Sequence, residues 1–258
     1  MPDPNGPSAS DGGAVLRFRD VTKTYVSSHL GRTRTVRGVS ELDFEVRRGE
    51  VFGLLGLNGS GKTTTFKLAL GLLSPTQGEV SVLGLRPRDP RALAGLGFLP
   101  ELPWFPGFMT PQEILRFYGG LSGLPDAEIP GRVARVIERV GLGAAAGRRI
   151  AEFSKGMVQR VGLAQAILHD PALVVLDEPV SGLDPLAIKD FRDLLVELNA
   201  KGKTILVSSH SISELEKLCH RVGILKDGRL ARVLQAQDWS GGLEERFIET
   251  VRPAGGAA

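Results

Sequence analysis

The segment GLNGSGKT at residues 56–63 constrains this chain more than any other. It satisfies G-x-x-x-x-G-K-[ST] at every position. It directly follows the apolar run VFGLL (51–55) and opens the helical pattern TTTFKLALGLL. A strand must enter such a loop and a helix must leave it, so the segment fixes a βα unit. Gly56, Gly59 and Gly61 let the backbone turn tightly, with successive amides pointing inward at an anion chain. The helix dipole adds favourable potential at the same point. Lys62 would neutralise the outer phosphates of a nucleotide, and the Thr63 hydroxyl would ligate Mg²⁺. The candidate nucleotide-binding residues of the loop are Asn58, Gly59, Ser60, Gly61, Lys62, Thr63 and Thr64. The competing reading is a glycine-rich turn that binds nothing. It needs a chance match, which at average glycine usage has odds of about one in a hundred before context is counted.

The rest of the chain alternates in the same style. VLRF, DFEV, VFGLL, EVSVL, GFL, ALVVL, TILVS and VGILK read as strands, and six amphipathic runs between or after them read as helices. This pattern predicts an α/β fold with a largely parallel core sheet. Residues 105–170 carry helical patterns alone, which predicts a helical subdomain inserted into the sheet domain. The expected organisation is a flexible N-terminus over 1–13, one domain over 14–240 and a flexible tail over 241–258, both ends being rich in small residues and proline. At 258 residues, 42% hydrophobic, the chain can bury one large core. A net charge of +3 from 32 basic and 29 acidic residues gives no reason to expect a nucleic-acid partner. A single cysteine, Cys219, excludes an internal disulfide and suits a reducing compartment. The apolar runs fall short of the roughly 18 residues a membrane span needs, so no direct insertion is expected and a membrane role would require a partner.

Two further strand ends carry chemistry. PALVVLDEP (171–179) is an apolar strand finishing in Asp177 and Glu178, at the carboxyl edge where ligands of such sheets bind. Asp177 is the candidate for the Mg²⁺ water shell, and Glu178 the candidate to polarise an attacking water. TILVSSH (204–210) ends in His210, a candidate for contact with a γ-phosphate. His29, His169 and His220 have no comparable placement.

The phosphate loop, the helical insert, SKGMVQR (154–160), LDEP, SGLD (181–184) and the strand-end histidine together resemble the nucleotide-binding domain of ABC transporters. The resemblance covers roughly residues 15–235. The wording SKGM is similar to that of the ABC-2-type, multidrug-export-like group. The resemblance implies a P-loop NTPase core sheet with an antiparallel β edge and an inserted helical subdomain. It implies ATP and Mg²⁺ as cofactors, with ATP hydrolysis powering a separate membrane permease. It also implies a head-to-tail dimer, homodimeric or heterodimeric with another ATP-binding subunit. The chain would then be cytoplasmic and peripheral on the inner face of the membrane. Tyr25 takes the position of an adenine-stacking aromatic, and Asp184 that of a dimer-interface carboxylate. Ser154 and Gly156 would face the partner's γ-phosphate.

Two departures from the family pattern stand out. Glu101, in GFLPELP, stands where the family has glutamine. A carboxylate is a good Mg²⁺ ligand, yet a like charge about 4 Å from the triphosphate would cost about 4 kcal/mol at an effective dielectric of 20. Glu101 is therefore expected to contact the metal or its water shell. Trp104, Phe105, Phe108 and Met109 follow in a Pro/Gly-rich loop that either forms a partner surface or packs inside the helical subdomain. In the signature segment itself, Ser154 keeps the cap position of an S-x-x-Q box, while Met157 cannot return the hydrogen bond of a glutamine. Lys155 adds a cation that either approaches the partner's γ-phosphate or faces solvent. A soluble ABC-type ATPase acting on ribosomes or DNA fits less well, because the chain has one set of motifs and no room for a long coiled-coil insert.

Overall fold

The computed structural model describes residues 13–29, 32–239 and 242–252. In chain order the strands are β1 (Ala14–His29), β2 (Arg32–Arg47), β3 (Val51–Gly56), β4 (Gln77–Val82), β5 (Leu96–Leu99), β6 (Leu173–Asp177), β7 (Thr204–Ser208), β8 (Arg221–Lys226) and β9 (Arg229–Gln235). The helices are α1 (Lys62–Ala69), α2 (Pro90–Ala94), α3 (Pro111–Leu121), α4 (Ile129–Arg139), α5 (Lys155–Ile167), α6 (Pro185–Ala200), α7 (Ile212–Leu218) and α8 (Leu243–Val251). The chain forms two compact units. One comprises residues 1–93 with 210–258, and the other residues 94–209.

In the first unit, period-2 alternation builds an antiparallel sheet of order β2-β1-β4. Leu42, Phe44 and Val46 are buried, while Asp43 between them and Glu41 just before them face out. Phe18 sits opposite Phe44 in the register, and their rings stack 4.7 Å apart, with Phe52 of β3 stacking on Phe44 at 5.4 Å. Each such buried ring stabilises the unit by roughly 1.5–3 kcal/mol. β3 is buried along its whole length and runs parallel to β8, to which β9 returns antiparallel. The β8–β9 turn is Asp227-Gly228, with both φ angles positive at 50° and 77°, as a type I′ hairpin requires.

This unit also corrects the expected C-terminus. Where a flexible tail was expected from residue 241, α8 buries Leu243 and Phe247. The Leu243 N–H donates to Glu216 of α7, and Lys226 donates to the carbonyls of Thr250 and Arg252. The i, i+4 spacing of Leu243 and Phe247 supplies an apolar stripe that composition alone conceals. Residues 1–12 and 253–258, also expected to be flexible, lie outside the described residues.

The second unit holds the parallel strands β5-β6-β7 and helices α3 to α6. It is wider than the helical stretch 105–170 read from the sequence, because it includes these three strands. α4 buries Ile129, Val133, Val136 and Ile137, an i, i+4, i+7, i+8 stripe. α3 begins with a full capping box, in which Thr110 accepts from the Glu113 amide and Glu113 accepts from the Thr110 amide. α5 packs on β5 through glycines on both sides. Gly162 lies against Leu99 and Pro103, and a Cβ on Gly97 would be driven into the carbonyl oxygen of Ala166. A backbone oxygen cannot move aside as a flexible side chain can. Gly97→Ala should therefore destabilise this unit by about 3 kcal/mol, lowering Tm by about 5–10 °C in a thermal melt. An unchanged melt would show that α5 is free to shift from β5.

Candidate functional site

In the first unit, the phosphate loop leaves β3 and enters α1. Gly61 begins the helix at φ 109°, and Gly59 has φ 82°, conformations that glycine adopts without strain. No side chain caps α1, and its first turn holds no acidic residue. The contrast with α3, which satisfies its own N-terminus, is direct: α1 leaves its leading amides to an external acceptor. Lys62 is only 8% exposed, and its Nζ donates to the Gly56 carbonyl at 2.6 Å. The cation is thus held within the loop rather than in solvent. A Cβ on Gly56 would collide with the Ser60 hydroxyl, which is buried and has no partner among the described residues. Gly228 braces the loop: its N–H donates to Ser60 O at 3.1 Å and its carbonyl accepts from Ser40 N at 2.7 Å. Asn58, Gly59 and Thr63 are exposed, and Thr64 is half-buried.

Tyr25 is brought to the start of α1, its hydroxyl 3.2 Å from the Thr64 hydroxyl. Its ring lies against Gly38 of β2, where a Cβ would stand 2.5 Å from Cε2. Gly38 therefore lets the ring rest on strand backbone, and about a third of the residue stays exposed. Lys23 Nζ stands 5.8 Å from the ring centroid. His210 is exposed, two residues beyond β7.

In the second unit, Asp177 closes β6 and Glu178 follows in a left-handed conformation, φ 46°. Glu178 is 9% exposed. Ser208, at the end of β7, donates to Asp177 Oδ1 at 2.7 Å and accepts from the Glu178 N–H at 3.0 Å. Ser208 was not among the residues singled out from sequence; a polar residue ending the buried run TILVS was the available signal. Gln159 was also overlooked. It is fully buried on α5 and donates to the Glu101 carbonyl at 2.6 Å, while the Glu101 side chain is exposed.

The signature segment keeps its cap. Ser154 Oγ accepts from Met157 N at 3.3 Å, and among the described residues none returns the second bond of a box. Gly156 packs near Leu183 and Ala187, and Asp184 caps α6 by accepting from Ala187 N at 2.9 Å. Of the two Lys155 alternatives the structure matches the solvent-facing one, for the residue is exposed. Its side chain folds along the SGLD loop, where a Cβ on Gly182 would lie 2.7 Å from Lys155 Nζ. The aromatic loop divides between its two readings: Phe105 is buried edge-on to Tyr118, while Trp104 and Phe108 are 80% and 76% exposed.

Among the described residues, no group of three or more His, Cys, Asp or Glu side chains could enclose a metal. Mg²⁺ asks little of a protein, typically one or two carboxylates or hydroxyls beside phosphate oxygens and water. Thr63 in the first unit, and Asp177 and Glu101 in the second, each carry a hard oxygen of that kind, and Ser208 orients one of Asp177's. Taken singly, each of these donors suits the ion.

Residues 39–181 match the family model described as ABC transporter. The ABC transporter ATP-binding protein YxlF of Bacillus subtilis is 42% identical over 90% of this chain and 72% of its own length. The Nod factor export ATP-binding protein I of Cupriavidus pinatubonensis is 37% identical over 84% of this chain and 65% of its own. A solved structure of an ATP-binding subunit of an ABC transporter superposes with a TM-score of 0.78 at 32% identity, covering 92% of this chain and 99% of that one. The chain belongs to the ABC transporter family. Within it the chain is of the ATP-binding kind, the ATPase that powers a membrane transporter, and its α/β fold is that of the family. It spans roughly two thirds of the length of the curated relatives it matches. No helix among the described residues is long and apolar enough to cross a membrane.

The altered signature should cost little. The lost half of the capping box is worth less than the roughly 1 kcal/mol of a whole cap, and Lys155 is directed along the SGLD loop. Lys155→Gly combined with Met157→Gln should change the ATPase rate by less than about tenfold. A larger change in steady-state turnover would make the variant segment a catalytic element in its own right.

Proposed function

We propose that this chain binds MgATP and drives an export permease by ATP-dependent head-to-tail dimerisation, as a peripheral subunit on the cytoplasmic face of the membrane. The observation that carries the reading is the uncapped, acid-free start of α1, with Lys62 held inside a glycine loop beneath it. The leading amides of α1 and the Ser60 hydroxyl receive the β- and γ-phosphates, and Lys62 exchanges the Gly56 carbonyl for phosphate oxygens. Tyr25 stacks on the adenine, held edgewise by Thr64. When bound, Mg²⁺ neutralises charge developing between the phosphates. Thr63 and Asp177 would hold it, with Glu101 at its water shell. Glu178 takes the proton of the attacking water and His210 steadies the γ-phosphate.

Ser154 and Gly156 of one copy face the γ-phosphate held by the other, and Asp184 lies at the interface between copies. Dimer closure on ATP and reopening after hydrolysis move the permease, so the work comes from differential binding. The permease docks on Trp104 and Phe108, since exposed aromatics of this size mark contact surfaces. Export is favoured by the wording of the signature and by the export role of the Nod factor relative.

Glu178→Gln keeps the side chain's shape and removes the base. Its steady-state ATPase rate should fall by about 10²- to 10⁴-fold, while equilibrium binding of ATP persists. A variant hydrolysing at the wild-type rate would remove Glu178 from the mechanism. Trp104→Ala should weaken recovery of the permease from solubilised membranes without changing ATP affinity. Undiminished recovery, or recovery of ribosomes alone from the wild type, would redirect the partner assignment.

A further inference from the structure

We infer that Ser208 is a positioning residue for hydrolysis, its hydroxyl clamping Asp177 and Glu178 in working orientation. This rests on the proposed roles of those two carboxylates. β6 and β7 run parallel with Asp177 opposite Ser208 in the register, so the last residues of the two strands meet. A hydroxyl has one proton to give and lone pairs to accept with. Here the proton goes to Asp177 Oδ1 at 2.7 Å, and a lone pair takes the Glu178 N–H at 3.0 Å. One buried atom thus fixes the side chain of the first carboxylate and the backbone that aims the second.

The environment makes the clamp exacting. Ser208 has no exposed surface, so water cannot replace either bond. Glu178 sits at φ 46°, a region that residues with a Cβ seldom occupy. Such a backbone persists only where its surroundings over-determine it, and the bond from its own N–H to Ser208 is one such restraint. The remainder of β7, Thr204–Val207, is buried packing surface. Packing alone asks for a small residue at its end, whereas the observed geometry uses a hydroxyl in both its roles.

The test uses the full chain with Ser208→Ala, Ser208→Thr and, alongside them, Glu178→Gln. Ser208→Ala should lower kcat about thirtyfold, the effect of two ordinary hydrogen bonds expressed in the transition state. KM for ATP should stay within about twofold, as a kcat-specific loss implies. Binding of a fluorescent ATP analogue should be unchanged both without Mg²⁺ and with it, as a loss confined to kcat requires. Ser208→Thr, which keeps the hydroxyl, should recover most of the rate. If Ser208→Ala melts well below the wild type, Ser208→Cys carries the test. It fills the same space with a weak donor, and the same kcat loss is expected at a wild-type melt. The inference is overturned if kcat survives in the folded alanine or cysteine variant, if threonine fails to restore it, or if Mg²⁺-free binding falls in parallel with kcat. Glu178→Gln separates the two levels: wild-type turnover in that variant sinks the underlying assignment. Its inactivation beside an unaffected Ser208→Ala sinks the clamp alone.

Discussion

Everything in the first unit depends on how the backbone amides at the head of α1 are left without a partner. Four leading N–H groups of any helix need acceptors, and most helices supply them locally. α3 does so with Thr110 and Glu113. α1 instead begins at a glycine, carries no acid in its first turn, and encloses a nearly buried ammonium. An arrangement that concentrates positive potential and unmet donors at one point is costly unless an anion belongs there. The buried strand β3 and the bracing hydrogen bonds of Gly228 hold that point in shape without an anion's help.

The second unit solves a different problem, that of holding carboxylates where they can act. Asp177 and Glu178 follow directly from four fully buried residues of β6, so their position along the strand is set by packing. Their orientation is not, because a strand end is free to turn. Ser208 and the left-handed backbone at Glu178 supply what packing leaves open. The same logic recurs at Glu101, whose backbone is anchored by the buried amide of Gln159 while its side chain remains exposed. In both places a polar residue on a neighbouring element fixes the backbone beneath a functional carboxylate.

Much of this was legible in the sequence, and the remainder resisted for identifiable reasons. Motifs tied to special backbone geometry were readable: the glycines of 56–61 and the apolar strands ending in Asp177 and Ser208 dictate local shape by themselves. β9 was missed, although Asp227-Gly228 after an apolar run is a strong hairpin signal; the strand RLARVLQ alternates weakly and is mostly exposed. α8 was missed because the glycine- and alanine-rich residues after it dominate the composition, while Leu243 and Phe247 alone define its buried face. The position of Lys155 was not decidable from sequence at all. It follows from Gly182 adopting φ 69° and lacking a Cβ, which opens a path for a long side chain along the loop.

That path bears on how the signature segment and the SGLD loop act together. Gly156 lies near Leu183 and Ala187, and Lys155 lies along Gly182, so two successive residues at the head of α5 touch the turn that leads into α6. α6 is itself started by the Asp184 cap. A shift of one helix start must therefore displace the other, because packed elements move as discrete bodies rather than deforming smoothly. In a family that works as dimers, residues facing the second copy would then respond as one surface. The lysine that replaces a glycine in SKGM adds a contact to this joint, while the serine and second glycine that would face phosphate are kept. Its effect should fall on the coordination of the two loops more than on the affinity of either for nucleotide.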